Sequence, residues 1–174
     1  MIRIFTLFLF ITVQVFALTP EQLKVLQTVR DVARTVPDYK GETYENTLAA
    51  ICLTESSAGK NIIGDFKKGI VITKASLGVM QIQVATARFL AKRIEELEWI
   101  NKLSDAQIAN KLLTDTKASA QISAYYLTLL KKSRKHYFNM VSGYNGGMVN
   151  NPYYKRVMKN IKILDKYVKN GKLI

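Results

Sequence analysis

Leu48-Ala49-Ala50-Ile51-Cys52-Leu53-Thr54-Glu55-Ser56-Ser57 is the stretch on which the fold turns. A helix is expected from roughly Tyr44 to Thr54, with Leu48, Cys52 and Glu55 stacked on one face. It delivers an acid to the point where helix gives way to loop. Leu48, Ile51 and Cys52 set the Glu55 carboxyl against apolar surface, which disfavours its charged form and suits a proton donor near neutral pH. A glutamate at a helix end is by itself most often a solvated one. The weight therefore rests on what accompanies it.

Beyond Glu55, residues 56–75 carry Gly59, Gly64 and Gly69 and no helical period. That is too long for an ordinary connection and marks a functional loop, in which Ile70-Val71-Ile72-Thr73 reads as a short strand. Before it, Thr19-Pro20-Glu21-Gln22 is a capping box, followed by Leu23, Leu26, Val29, Val32 and Ala33 until Pro37 stops the run. After it, Val84 to Ile100 reads as one amphipathic helix. Ser104 and Gln107 form a second capping box, and Asp115 caps a long helix through Ser133. A short helix ends near Tyr144 at Gly146-Gly147, and Asn151-Pro152 opens a last helix to about Asn170. The expectation is a mostly α single domain.

Composition agrees. Of 174 residues, 48% are apolar and 22% charged, enough for one buried core and too apolar for disorder. Lysine and arginine number 26 against 13 acids, a net charge of +13, so the partner or surface met is anionic. One cysteine, Cys52, excludes an internal disulfide framework, and one histidine, His136, removes the common histidine metal centres. Met1 to Ala17 has one charge, Arg3, an apolar run from Ile4 to Val13, and Val15-Phe16-Ala17 before a cut. These are the parts of a secretory signal peptide, which implies a periplasmic or secreted protein without a stable membrane anchor. The expected division is leader 1–17, helical extension 18–43, catalytic domain 44–165, and helix end and tail 166–174.

Three further motifs join Glu55. In Ser76-Leu77-Gly78-Val79-Met80-Gln81-Ile82, Gly78 permits close backbone approach and Gln81 offers a donor and an acceptor to sugar amides and hydroxyls. Met80 fits either a contact with a sugar ring or acetyl group or a place in the core. Gly143-Tyr144-Asn145-Gly146-Gly147 puts a polar aromatic pair at a helix break, and Pro152-Tyr153-Tyr154-Lys155-Arg156-Val157 puts two tyrosines at a helix start.

In this order, the set resembles the lytic transglycosylases of the soluble-lytic type, which share the goose-lysozyme-like fold. That family shows Glu-Ser, then Gly-Leu-Met-Gln, then Ala-Tyr-Asn-Ala-Gly, then a tyrosine four residues before an aliphatic. The counterparts here are Glu55-Ser56, Gly78 to Gln81, Gly143 to Gly147, and Tyr153 with Val157. Asp115 leading to Tyr126-Leu127 matches a fifth element. Val79 replaces the usual leucine, Gly143 and Gly146 stand where alanines are usual, and Ser123 takes the place of a common helix glycine. Tyr154 competes with Tyr153, which spacing favours.

The resemblance implies a lysozyme-like fold with a long loop or small β element after the catalytic helix. It also implies cleavage of peptidoglycan glycan strands with no cofactor. Glu55 would protonate the glycosidic oxygen between N-acetylmuramic acid and N-acetylglucosamine. It would then take the proton of the muramic C6 hydroxyl as a 1,6-anhydro ring closes. Tyr144 and Tyr153 would bond near Glu55 or line the sugar cleft, and Gln81 and Asn145 would bind acetamido and hydroxyl groups. Ser56 would join the substrate-binding residues, orient the acid or cap the helix. Ordinary glycosidases use two carboxylates, but Asp65, the only acid in the loop beside Glu55, reads as solvated. Small exported members of the family often serve secretion or conjugation machines. The other readings are a goose-type lysozyme-like hydrolase and a non-catalytic periplasmic glycan binder. A nucleic-acid role for the basic runs around Lys131–His136 and Lys155–Lys162 conflicts with the export signal.

Overall fold

Helices of this chain begin where a side chain can satisfy their free backbone donors. In a computed structural model describing residues 17–65 and 71–174, α1 (Pro20–Arg34) starts on the Thr19 box: Thr19 Oγ1 accepts from Gln22 N, and Gln22 Oε1 from Thr19 N. The leader reading falls outside the described residues up to residue 16. α1 stops at Arg34, short of Pro37. Next, α2 (Glu45–Ser56) is buried all round: Leu48, Ala49, Ala50, Ile51 and Cys52 are all 0% exposed. A helix apolar on every side belongs at the centre of a domain, and α2 packs against α1 and two later helices.

After α2 comes a two-stranded antiparallel hairpin, β1 (Ile63–Gly64) with β2 (Ser76–Leu77), pairing Ile63 with Leu77 and Gly64 with Ser76. The strand expected at Ile70–Thr73 is not the one formed. Ile70 lies outside the described residues, and Ile72–Lys74 is a 3-10 turn, with Lys74 N bonded to Val71 O and Ala75 N to Ile72 O. Those local bonds use the donors a strand would need.

The helix expected over Val84–Ile100 is also divided. α3 (Val84–Ala91) ends at Lys92, Ile94 is extended (φ −130°, ψ 113°), and a 3-10 segment runs from Glu95 to Lys102. Long-range bonds fold this segment back on α3: Arg88 donates to Ile100 O (2.8 Å) and Asp105 Oδ1 (2.8 Å), and Asn101 donates to Ala91 O (3.2 Å). A period read along the chain cannot see that return. α4 (Asp105–Thr114) starts on the Ser104–Gln107 box, and α5 (Thr116–Arg134) on Asp115, whose Oδ1 accepts from Ala118 N at 2.9 Å. α6 (Tyr137–Tyr144) and α7 (Asn151–Lys169) complete the chain, Asn150 Oδ1 accepting from Tyr153 N.

One core joins these parts. Leu26 and Val29 of α1 and Leu164 of α7 are 0% exposed within it, and the tail returns to α1 through Ile174 N bonded to Gln27 Oε1 at 2.8 Å. The 18–43 and 166–174 segments thus share the core of the middle of the chain. The molecule is the mostly helical, small-β architecture expected from its sequence.

Candidate active site

Glu55 sits in the last turn of α2, partly buried, and faces a cleft of about 530 Å³. Its Oε1 accepts a 2.6 Å hydrogen bond from the Tyr153 hydroxyl of α7. Burial raises the Glu55 pKa above the ordinary carboxylate value, and the negative charge of Asp65 adds to the rise. The Tyr153 bond and the positive charge of Arg156 pull the other way without cancelling it. The Tyr153 phenol, 1% exposed, is itself pushed up by burial and by Glu55, so it keeps its proton and donates. Asn160 steadies the same helix pair by donating to Thr54 Oγ1 at 2.8 Å.

The end of α2 is latched from below. The chain turns through Ser57 (φ 53°) and Ala58 (φ 54°), a left-handed pair without glycine. Such a pair persists only where surroundings over-determine it. Gln22 of α1 donates to Ser57 O at 2.8 Å, and Ser56 Oγ donates to Val79 O at 2.7 Å while accepting from Gly59 N at 2.8 Å. The expected substrate role of Ser56 is therefore corrected: its hydroxyl is 0% exposed, fully used, and ties the acid's helix to the next motif.

That motif is a four-residue loop closing the bridge Leu77–Ile82. Gly78 (φ 74°) lies so close to α4 that a Cβ would come within 1.9 Å of Leu112 O. Met80 is 0% exposed, so its side chain is core, not a sugar contact, and its carbonyl is the useful atom. The Tyr144 hydroxyl donates to Met80 O at 3.0 Å and lies 2.9 Å from Ser123 Oγ. One phenol has one proton, so Ser123 supplies the second bond, a use for the hydroxyl that stands where a helix glycine is common. Gln81 (φ 52°) gives its amide hydrogens to Gly78 O (2.9 Å) and Asn61 O (3.2 Å). Only Oε1 is left for a ligand, an acceptor and not the donor–acceptor pair expected. It occupies the space a Cβ on Gly64 would take, 2.1 Å away.

Glu55, Gln81, Tyr144 and Asn145 thus share the cleft wall, whereas Tyr153 stands behind Glu55 and lines no sugar surface. Tyr154 turns away, its ring packed on Phe138 at 4.8 Å. Asp65 also lines the cleft, and it does so exposed, in keeping with its reading as a solvated loop residue. Gln83 and Thr86, which carry no motif of their own, also line the wall, as does Tyr126 of the fifth matched element; Tyr126 stacks obliquely on Tyr144, ring centres 5.4 Å apart. Arg134, from the basic run Lys131–His136, donates to Gly147 O, and its guanidinium lies where a Cβ on Gly143 would be, 2.6 Å from Cζ. That contact explains the glycine at an alanine position. Cys52 is core: its buried thiol is pushed up to about 12.

The arrangement favours the protonated form of one carboxyl relative to water and presents it to a polar cleft. A family model described as the transglycosylase SLT domain matches residues 36–164. Comparison with curated proteins and with solved structures finds no match.

Proposed function

The chain belongs to the transglycosylase SLT domain family, and from that premise we propose that it is an exported lytic transglycosylase. It cleaves the β-1,4 bond between N-acetylmuramic acid and N-acetylglucosamine and leaves a 1,6-anhydro sugar. The observation that carries this reading is the Glu55–Tyr153 pair: a carboxyl whose pKa burial raises, oriented by a 2.6 Å bond, at the wall of an open cleft. The catalysis of one proton out and one proton back needs a group whose pKa lies near the working pH. Glu55 gives its proton to the glycosidic oxygen as the bond to the muramic anomeric carbon breaks. The muramic N-acetyl group shields the positive centre. The resulting Glu55 carboxylate takes the C6 hydroxyl proton as that oxygen closes on the anomeric carbon. Gln81 Oε1 accepts from an acetamido N–H or hydroxyl, and Asn145 binds a hydroxyl beside it. The excess of cations, +13, suits an anionic wall, and local opening of that wall fits service to a secretion or conjugation machine.

Digestion of purified sacculi by the parent chain and by Glu55→Gln tests this. Muropeptides lighter by one water than hydrolysis products are expected from the parent and none from the variant. Reducing-end products would make the chain a lysozyme-like hydrolase, and binding to sacculi without release a glycan-binding protein.

A further inference from the structure

Glu55 is not the only carboxyl group in the cleft. Asp65, directly after β1, lines it as well. Its backbone is left-handed (φ 52°), and its Oδ2 accepts from Ser76 Oγ at 2.9 Å. Ser76 pairs with Gly64 across the hairpin, so the tether is anchored in the sheet and holds the carboxylate in place. Aspartate tolerates this backbone region better than most residues, yet it still costs free energy.

The charge around it is as informative. The chain carries 26 lysines and arginines against 13 acids. Among the described residues, however, no lysine or arginine lines the cleft, and its two titratable acids are Glu55 and Asp65. The groups that bear on Glu55 are Tyr153 and Arg156 from α7, Tyr144 from α6, Cys52 from its own helix, and Asp65 from the loop. Arg156 stands over the ring of buried Tyr153, 5.6 Å from its centre, and lines no part of the cleft. The two acids sit in contrasting surroundings, Glu55 partly buried and Asp65 exposed. That contrast divides labour between a proton donor and a charge stabiliser in glycoside cleavage.

We propose that Asp65 is the electrostatic partner of Glu55, its carboxylate lying beside the anomeric carbon and stabilising the positive charge that develops there. This rests on the glycan-cleaving reading above. The glycosidic oxygen leaves with the bonding pair and the Glu55 proton, and the ring oxygen and anomeric carbon become positive. Asp65 and the substrate's own acetamido oxygen share the stabilisation. The C6 oxygen then bonds the anomeric carbon and returns its proton to Glu55. Asp65 exchanges no proton with the substrate or with Glu55.

Asp65→Asn, with Asp65→Glu and Ser76→Ala beside it, tests the proposal on sacculi. Asparagine at this exposed site should lower kcat by about 10²-fold with KM within about 3-fold, and anhydro products should persist. The alkaline limb of the pH profile should move to lower pH, because the negative charge that raises the Glu55 pKa is gone. Asp65→Glu should recover part of the rate, and Ser76→Ala, which frees the tether, should lose about 10-fold. An unchanged rate and limb in Asp65→Asn, or a change in KM alone, overturns the role of Asp65. So does a parent that makes reducing-end sugar and a variant that stops making it, since Asp65 would then be activating water. A parent without cleavage, or an active Glu55→Gln, overturns the glycan-cleaving reading itself.

Discussion

The two sides of the cleft are built in different ways. The helical side brings Glu55, Tyr144 and Tyr153 together from α2, α6 and α7, and both phenols are buried and bonded, Tyr153 to the acid itself and Tyr144 to Met80 O. The loop side, from Ser57 to Gln83, has two-residue strands and, among the described residues, four non-glycine residues at positive φ: Ser57, Ala58, Asp65 and Gln81. Proton transfer needs a fixed, partly dry carboxyl, which packed helices provide. Recognition of hydroxyls and amides needs exposed polar atoms at defined angles, which a pinned loop provides. The latches between the sides, Ser56 to Val79 O and Tyr144 to Met80 O, make one site of them.

The sharpest way to break the contrast is at the hinge of the loop. Gly78→Ala adds a Cβ 1.9 Å from Leu112 O at a φ of 74°, and should cost about 3 kcal/mol or more in denaturant unfolding. A loss below about 1 kcal/mol would mean the loop side is softer than its geometry says. On the helical side, Tyr153→Phe removes the one bond to Glu55 while keeping the ring in place. About 10²-fold lower kcat is expected, and the alkaline limb should rise, because the lost bond was lowering the Glu55 pKa. A limb that stays put would detach the phenol from the acid.

Gln81→Ala should act on binding more than on chemistry. One acceptor is lost from the wall, worth about 1 kcal/mol, so KM should rise several-fold with kcat nearly kept. A fall in kcat alone would move Gln81 to the side of the acid. The smallest effect concerns stability. The folded Glu55 has a raised pKa, so between its unfolded and folded values the folded chain holds a proton that the unfolded chain releases, and stability falls as pH rises. Glu55→Gln cannot ionise. It should therefore unfold at a higher temperature than the parent at neutral pH, with the gap closing as pH falls through the ordinary carboxylate range. A pH-independent gap would place Glu55 in water.

Much of this was legible along the chain because it is written in short spacings. The Thr19 and Ser104 boxes, the Asp115 cap and the apolar run before Glu55 are each recognised within a single short stretch of chain. The misreadings share one cause. The break of α3 at Lys92, the pairing of Ile63–Gly64 with Ser76–Leu77, and the burial of Ser56 and Met80 all depend on partners distant in sequence. Arg134 shows the same limit: all five of its neighbours in the run Lys131–His136 are charged or polar, yet its guanidinium closes over Gly143. Gln83 and Thr86 had no local signal at all, since a cleft wall is defined by what it faces.

The order of four motifs along one strand of chain was enough to determine the helical class and the family and to single out Glu55 as the candidate acid, because helix periods, caps and motif spacings are local properties of covalent sequence. Which tyrosine holds that acid, which hydroxyls are spent inside the core, and that Asp65 shares a cleft with Glu55 were decided only when distant segments packed. Hydrogen bonds and burial are relations between surfaces, and no single stretch of chain carries both partners.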